Sequence, residues 1–148
     1  MVKETSSMVV SMRLPMESAK RLRRLANRYG WTPSDASARL VEEGLRRTEF
    51  AFIDFRDTAV GRQVCIQASS LSVWEVIQLV RSYKGDVAAA AKHLGWPQVK
   101  VQAAVHYAEV YPQEINEAIA DNQATDVATL RNLLPQTVEF VPKKPVRG

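Results

Sequence analysis

The chain has 148 residues, enough for one ordinary domain or two small ones. An apolar fraction of 46% and a charged fraction of 24% are typical of a folded globular protein and exclude a disordered or collagen-like chain. No apolar run is long enough to span a bilayer, and the first residues lack the apolar core of a signal peptide, so we expect a cytoplasmic protein without membrane contact.

The residues that usually carry chemistry are sparse. One cysteine, Cys65, and two histidines, His93 and His106, have no spacing typical of a disulfide or a metal site. The sequence also lacks a nucleophile elbow, a phosphate loop and a paired histidine and carboxylate motif. We therefore expect no cofactor, no metal and no enzymatic activity.

Charge is distributed unevenly around a net value of +4. Residues 1–50 hold ten Lys and Arg against six Asp and Glu, whereas residues 51–142 hold seven against ten. The last six residues, KKPVRG, are basic again. This asymmetry favours a polyanionic partner for the first third of the chain and a different task for the middle.

Met8–Leu14 alternates strictly between two faces, which predicts a half-buried β-strand that ends at Pro15. A lone strand leaves its backbone groups unpaired, and no second strand follows nearby, so we expect it to pair with the same strand of a second copy. One face carries Val10, Met12 and Leu14, and the other carries Val9, Ser11 and Arg13.

Two helices are predicted next. Apolar residues at helical spacing define the first, Leu22, Leu25, Ala26 and Tyr29, with basic residues around the rest of the cylinder, Lys20, Arg21, Arg23, Arg24 and Arg28. Gly30 favours the end of this helix. Thr32 before Pro33 is typical of a helix start, and the second helix, with Ala36, Leu40, Val41 and Leu45 on its apolar face, can extend to about Thr48.

A strand, a helix, a glycine turn and a capped helix within about forty residues resemble the ribbon-helix-helix family of repressors, which includes Arc and MetJ. The residues that carry the resemblance are Val10–Pro15, Arg21-Leu22, Leu25-Ala26, Gly30, Ser34 and Leu40-Val41. The resemblance implies an intermolecular two-stranded ribbon in the major groove of double-stranded DNA. It also implies a dimer core of Val10, Met12, Leu14, Leu22, Leu25, Leu40 and Val41.

The same resemblance assigns DNA contacts by position. Arg13 would make a bidentate contact to guanine, Ser11 would hydrogen-bond to a base, and Val9 would pack on a thymine methyl group. The start of the second helix, near Thr32 and Ser34, would hold a phosphate. Lys20 and Arg24 on the first helix would add salt-dependent affinity.

The middle of the chain predicts a hairpin and three helices. Phe50–Phe55 and Gln63–Gln67 are strand-like and flank a turn. Ser72 and Asp86 are capping residues for the first two helices, and a Gly95-Trp96-Pro97 break leads to a third helix from about Gln98 to Tyr111. Three short helices with tight turns are the outline of a helix-turn-helix unit.

This stretch resembles the small helix-turn-helix domain of some VapB-type antitoxins of bacterial toxin–antitoxin pairs. The matching residues are Gly61–Ile66, Leu71–Ile77, Ala91–Leu94 and Val101–Ala108. Its near-neutral to acidic charge favours dimerisation or partner docking over DNA contact.

A polar break at Asn122 and a short amphipathic helix with Val127, Leu130, Leu133 and Leu134 are predicted near the C-terminus, followed by an extended segment with Phe140. Such segments of antitoxins bind toxins, which makes Leu130, Leu133, Leu134 and Phe140 candidate partner contacts. A final helix packed on its own domain, with a frayed end, is the alternative.

The fold predicted from sequence is therefore mainly α, with a ribbon-helix-helix domain over residues 1–49, a helix-turn-helix-like domain with a short β-hairpin over 50–121, and a C-terminal helix and tail over 122–148. The predicted function is a homodimeric transcription regulator of the bacterial cytoplasm, acting as the antitoxin of a type II pair. A repressor or plasmid-maintenance regulator without a toxin is the alternative, and a neighbouring nuclease gene would distinguish the two.

Overall fold

The computed structural model describes the backbone of residues 6–133 and the side chains of residues 6–123. The chain divides into two compact units, of which unit 1 ends at Leu45 and unit 2 begins at Arg46. The described backbone is mainly helical, with six helices and one two-stranded antiparallel sheet.

The predicted ribbon-helix-helix fold is wrong. Residues 6–15 have no regular secondary structure, and the first elements of the described chain are two helices rather than a strand. The physical reason is that a strand needs a neighbour for its backbone N–H and C=O groups, and the two strands that the described residues form, far along the chain, pair with each other. Alternation of side chains alone does not supply those hydrogen bonds.

Unit 1 contains helix α1, Met16–Tyr29, and most of helix α2, Pro33–Glu49. Gly30 ends α1 with φ of 68°, a left-handed conformation that a residue without Cβ adopts at little cost. Thr32 caps α2, because its Oγ1 accepts a hydrogen bond from the backbone N–H of Asp35 at 3.1 Å. Both helix boundaries predicted from these residues are confirmed.

Unit 1 buries little apolar surface. Among its described residues the only buried apolar side chains are Ala26 and Ala36, while Leu22, Leu25 and Leu40 are half-buried. The Tyr29 ring stacks on Trp31 with 4.4 Å between centroids, and the buried Tyr29 hydroxyl has no hydrogen-bond partner among the described residues. Two alanines and three partly exposed leucines are a small core even for a unit of this length.

In unit 2 the end of α2 is followed by a hairpin whose strands are β1, Ile53–Thr58, and β2, Gly61–Ile66. The turn has two residues, and the Thr58 hydroxyl donates to the carbonyl of Gly61 at 2.8 Å across it. Phe50 lies outside β1, so the first strand starts three residues later than the strand-like run predicts.

Three helices follow the hairpin: α3, Val73–Ser82, α4, Val87–Leu94, and α5, Gln98–Val110. Asp86 caps α4 by accepting a hydrogen bond from the N–H of Ala89 at 3.1 Å, and Gly95 ends it with φ of 67°. The predicted starts of all three helices are confirmed, because capping and glycine chemistry determine them locally.

Helix α6, Pro112–Leu133, is longer than predicted. It runs through Asn122, where the sequence predicts a break, so that expectation is wrong. The stretch around Asn122 contains neither Gly nor Pro, and polar residues cost only tenths of a kcal/mol each inside a helix.

The core of unit 2 lies between the hairpin and α3 to α6. Every one of these elements contributes buried side chains, and α4 contributes Ala90 and Ala91. The largest fully buried side chains are those of Ile53, Ile66, Val73, Val76, Val101, Tyr107 and Ile115. This apolar burial is the main stabilising contribution to unit 2.

A polar cluster at the start of α3 fixes the hairpin to the helix. The Gln63 side-chain oxygen on β2 accepts hydrogen bonds from the Ser72 hydroxyl at 2.8 Å and from the Trp74 indole N–H at 3.1 Å. Glu75 in turn accepts from the backbone N–H of Ser72 at 3.3 Å. Ser72 is therefore both the residue that opens α3 and a tertiary contact.

We expect Ser72→Ala to lower the free energy of unfolding by about 1–2 kcal/mol, because it removes a buried hydrogen bond and a helix cap. Urea unfolding followed by circular dichroism measures the change. The exposed Ser70 provides the control, since Ser70→Ala should leave stability within about 0.5 kcal/mol of the wild type. Equal effects of both substitutions would contradict the role assigned to Ser72.

Candidate nucleic-acid interface

Helix α1 has one basic face and one apolar face. Successive residues of a helix are separated by about 100° around its axis, which places Arg21, Arg23 and Arg24 outside the stripe formed by Leu22, Leu25, Ala26 and Tyr29. The structure agrees with this placement, because the three arginines are exposed while Ala26 is buried and its neighbours Leu22 and Leu25 are half-buried. We call the exposed residues Lys20, Arg21, Arg23, Arg24 and Arg28 the basic face.

Three of these cations are not neutralised within the described part of the chain. Arg21, Arg23 and Arg24 form no salt bridge or side-chain hydrogen bond with another described residue. Lys20, by contrast, lies 3.2 Å from the Glu17 carboxylate, and both side chains are exposed. An exposed pair of this kind contributes little to stability. The three arginines keep the net charge of the basic face positive.

The sequence predicts Lys20 and Arg24 as DNA contacts and places Arg21 and Arg23 among the other basic residues of this helix. The signal was available in the sequence, because projecting residues 16–29 on a helical wheel groups all five cations within one half of the cylinder. Around the axis of α1, Arg24 lies between Arg21 and Arg23, and Lys20 lies beside the carboxylate of Glu17.

The start of α2 offers less to an anion than predicted. Pro33 has no N–H, and the N–H groups of Asp35 and Ala36 donate to Thr32, through its hydroxyl and its carbonyl respectively. The N–H of Ser34 therefore remains as the amide of this first turn that has no backbone partner in the described chain. The exposed Asp35 carboxylate next to it opposes a phosphate.

The residues predicted to read bases precede α1. Val9, Ser11 and Arg13 are all exposed, with 93% of Val9 accessible to solvent. Because the segment that holds them is not a strand, the alternation no longer assigns them to one common face. Their contact with DNA remains a prediction.

The predicted dimer core is largely exposed in the single chain. Val10, Met12 and Leu14 keep 69%, 53% and 43% of their surface accessible, and Val41 on α2 keeps 47%. Met8 and Met16 beside them are exposed as well, while Leu22, Leu25 and Leu40 are half-buried. Exposed apolar residues in one stretch of sequence, next to a unit with a small core, are typical of an interaction surface.

Unit 2 holds a network around Arg46 that the sequence did not indicate. The Tyr107 hydroxyl donates to Glu114 at 2.6 Å, and Arg46 donates to the Tyr107 oxygen at 2.7 Å while lying 3.8 Å from the centre of the Tyr111 ring. Burial, followed by the hydrogen bond to the Glu114 carboxylate, raises the pKa of Tyr107 above its usual range. Such a group stays protonated and serves as a structural hydrogen-bond donor.

The two histidines are placed apart. His93 hydrogen-bonds through Nδ1 to the Tyr83 hydroxyl at 2.8 Å, and His106 packs against the Phe50 ring. Across the described residues no group of three His, Cys, Asp or Glu side chains is arranged to hold a metal ion. Within the same residues no helix combines the length and apolar character that crossing a bilayer requires.

The predicted toxin contacts fall where side chains are not described. Leu130 and Leu133 belong to the backbone of α6, and Leu134 and Phe140 lie outside the described residues.

Comparison with known proteins adds nothing further, since no protein-family model, curated protein or solved structure matches the chain.

Replacing Thr32 tests whether it acts as a cap. We expect Thr32→Ala to lower the stability of unit 1 by about 1 kcal/mol, because the N–H of Asp35 is then left without its acceptor. Thermal unfolding by circular dichroism measures the loss, and Ser34→Ala, on the exposed side of the same turn, is the control. A loss for Ser34→Ala as large as that for Thr32→Ala would contradict the capping assignment.

Proposed function

We propose that the chain is a homodimeric DNA-binding transcription regulator in which unit 1 contacts double-stranded DNA. The observation that carries the proposal is the basic face of α1, with three exposed arginines that have no partner among the described residues. Proteins that bind the DNA backbone present such clusters of cations, because neutralising phosphates releases condensed counterions.

The arrangement of the two faces of α1 supports contact through the basic one. Leu22, Leu25 and Ala26 belong to the face that packs, so the arginines are left available to a partner from solution. Guanidinium groups form bidentate hydrogen bonds with phosphate oxygens, so exposed arginines suit contact with a nucleic-acid backbone.

The exposure of apolar residues supports the dimer. Burying the parts of Val10, Met12, Leu14 and Val41 that one chain leaves accessible would enlarge a core that otherwise contains two alanines. At about 25 cal/mol per Å² of apolar surface, such burial stabilises each protomer by several kcal/mol. Two copies of one surface are the simplest source of a complementary partner, since most soluble oligomers are homodimers with twofold symmetry.

The finer part of the proposal is that the chain is the antitoxin of a type II pair and represses its own operon. The resemblance of the middle segment to VapB-type domains supports it, as does the acidic balance of residues 51–142, which favours a protein partner for unit 2 over DNA. A small nuclease gene directly beside this gene would strengthen this part, and its absence would leave a repressor without a toxin.

The DNA contact is tested by replacing Arg21, Arg23 and Arg24 with alanine, which preserves helix propensity. We expect binding to DNA from the protein's own promoter region, measured by fluorescence anisotropy at two salt concentrations, to weaken at least tenfold. The slope of log K against log salt should decrease in magnitude by about 3, roughly one unit for each phosphate that the variant no longer neutralises.

Lys92→Ala is the matched control, because Lys92 is an exposed lysine on α4 in unit 2. It should bind promoter DNA like the wild type. Unchanged affinity of the triple variant, or equal losses in both variants, would exclude the basic face as the DNA contact.

The dimer is tested by light scattering and sedimentation of a Val10→Lys, Leu14→Lys variant. We expect the wild type to have twice the chain mass and the variant to shift towards monomer, because each lysine places a charge in a desolvated interface. Val99→Lys, at an equally exposed valine of α5, should leave the mass unchanged. A monomeric wild type, or a variant that remains dimeric, would overturn the proposed interface.

A further inference from the structure

Unit 2 has an open groove of about 640 Å³ between β2, α3 and α6. Its lining includes the buried apolar side chains of Val64, Trp74 and Ile115, which we call the apolar floor. Its rim on α6 carries the exposed carboxylates of Glu117 and Asp121. A groove with an apolar floor and an acidic rim suits a ligand that is apolar in one part and cationic in another.

The electrostatic character of the groove follows from which charges are already paired. Arg62, the cation in the wall, lies 3.2 Å from Asp57, and Glu114 is held by Arg46 and Tyr107. Asp121 and Glu117 have no salt bridge with any residue of the described chain, although Glu117 accepts a hydrogen bond from Gln113 at 2.8 Å. The two rim carboxylates therefore present their charge to an occupant.

We propose that residues 138–147 of the same chain occupy this groove. The segment reads VEFVPKKPVR, in which Val138, Phe140 and Val141 match the apolar floor, and Lys143, Lys144 and Arg147 match the acidic rim. This order of an apolar part followed by a basic part is the chemistry that the groove requires.

The chain is long enough to make this contact within one molecule. Twelve residues of α6 separate Asp121 from Leu133, a distance of about 18 Å along the helix. The ten residues from Leu134 to Lys143 span up to about 33 Å when extended, so Lys143 can return to the rim. A tethered segment also has an effective concentration on the order of millimolar, which favours the chain's own tail over other basic peptides.

Carbodiimide cross-linking of the full-length protein tests the contact. The reagent joins a carboxylate to a lysine amine as an amide and itself takes up the water that is released. We expect mass spectrometry to find Lys143 or Lys144 joined to Glu117 or Asp121, with a yield that falls at high salt because the pairing is exposed. In an equal mixture of ¹⁴N- and ¹⁵N-labelled protein, each cross-linked peptide pair should carry a single label.

Two controls separate docking from random encounter. Glu109 is an exposed carboxylate on α5 that does not line the groove, so it should give little product. Phe140→Ala leaves every reacting group in place but removes the apolar anchor, and it should slow cross-linking up to about tenfold.

Three outcomes would overturn the proposal. Mixed-label products would show that the tail docks on a second copy. Equal reaction at Glu109, or no effect of Phe140→Ala, would show that the tail meets the acids of α6 without occupying the groove. Absence of any product between the tail lysines and the rim would leave the groove to another cationic ligand.

Discussion

Apolar burial is divided unevenly between the two units, and the remaining features of unit 1 follow from that division. Unit 2 closes its own core around Tyr107, Ile53 and Ile115, with a hairpin and four helices to supply side chains. Unit 1 has two helices and buries Ala26 and Ala36. Because burial of apolar surface is the dominant favourable contribution to folding, the proposed dimer makes unit 1 depend on contacts with a second copy.

In the proposed dimer, association of the two copies also positions the charged residues of α1. Helix α1 is short, so the face that packs and the face that carries Arg21, Arg23 and Arg24 are parts of one rigid element. In the proposed dimer, ordering of α1 by apolar contact therefore also fixes the spacing of the guanidinium groups. Two copies related by a twofold axis present two such faces, and the symmetry of the protein then requires a palindromic arrangement of phosphates.

Features that depend on a few neighbouring residues could be predicted from the sequence. Thr32 and Asp86 cap helices, and Gly30 and Gly95 end them, because the local backbone determines these roles. The strand predicted before Pro15 could not be judged in this way, since strand formation requires a partner that alternation does not identify.

The two candidate sites differ in the same way, since one is formed by neighbouring residues and the other by residues distant in sequence. The basic face lies on one helix and is visible in the sequence as a periodic pattern that includes Arg21 and Arg23. The groove of unit 2 joins Gln63, Trp74 and Asp121, which are far apart in sequence and meet only after the chain has folded. No spacing rule predicts such a site.

The buried Tyr29 hydroxyl, which has no hydrogen-bond partner in the described part of the chain, has a thermodynamic consequence for unit 1. Desolvation of an unsatisfied hydroxyl costs about 1–3 kcal/mol, a large share of the stability that two small helices can accumulate. Unit 1 therefore combines a small core with an unsatisfied buried hydroxyl, and its free energy of unfolding lies below the maximum that its fold permits. Its folded population should respond steeply to temperature and to any ligand that binds only the folded form, and in the proposed dimer also to protein concentration.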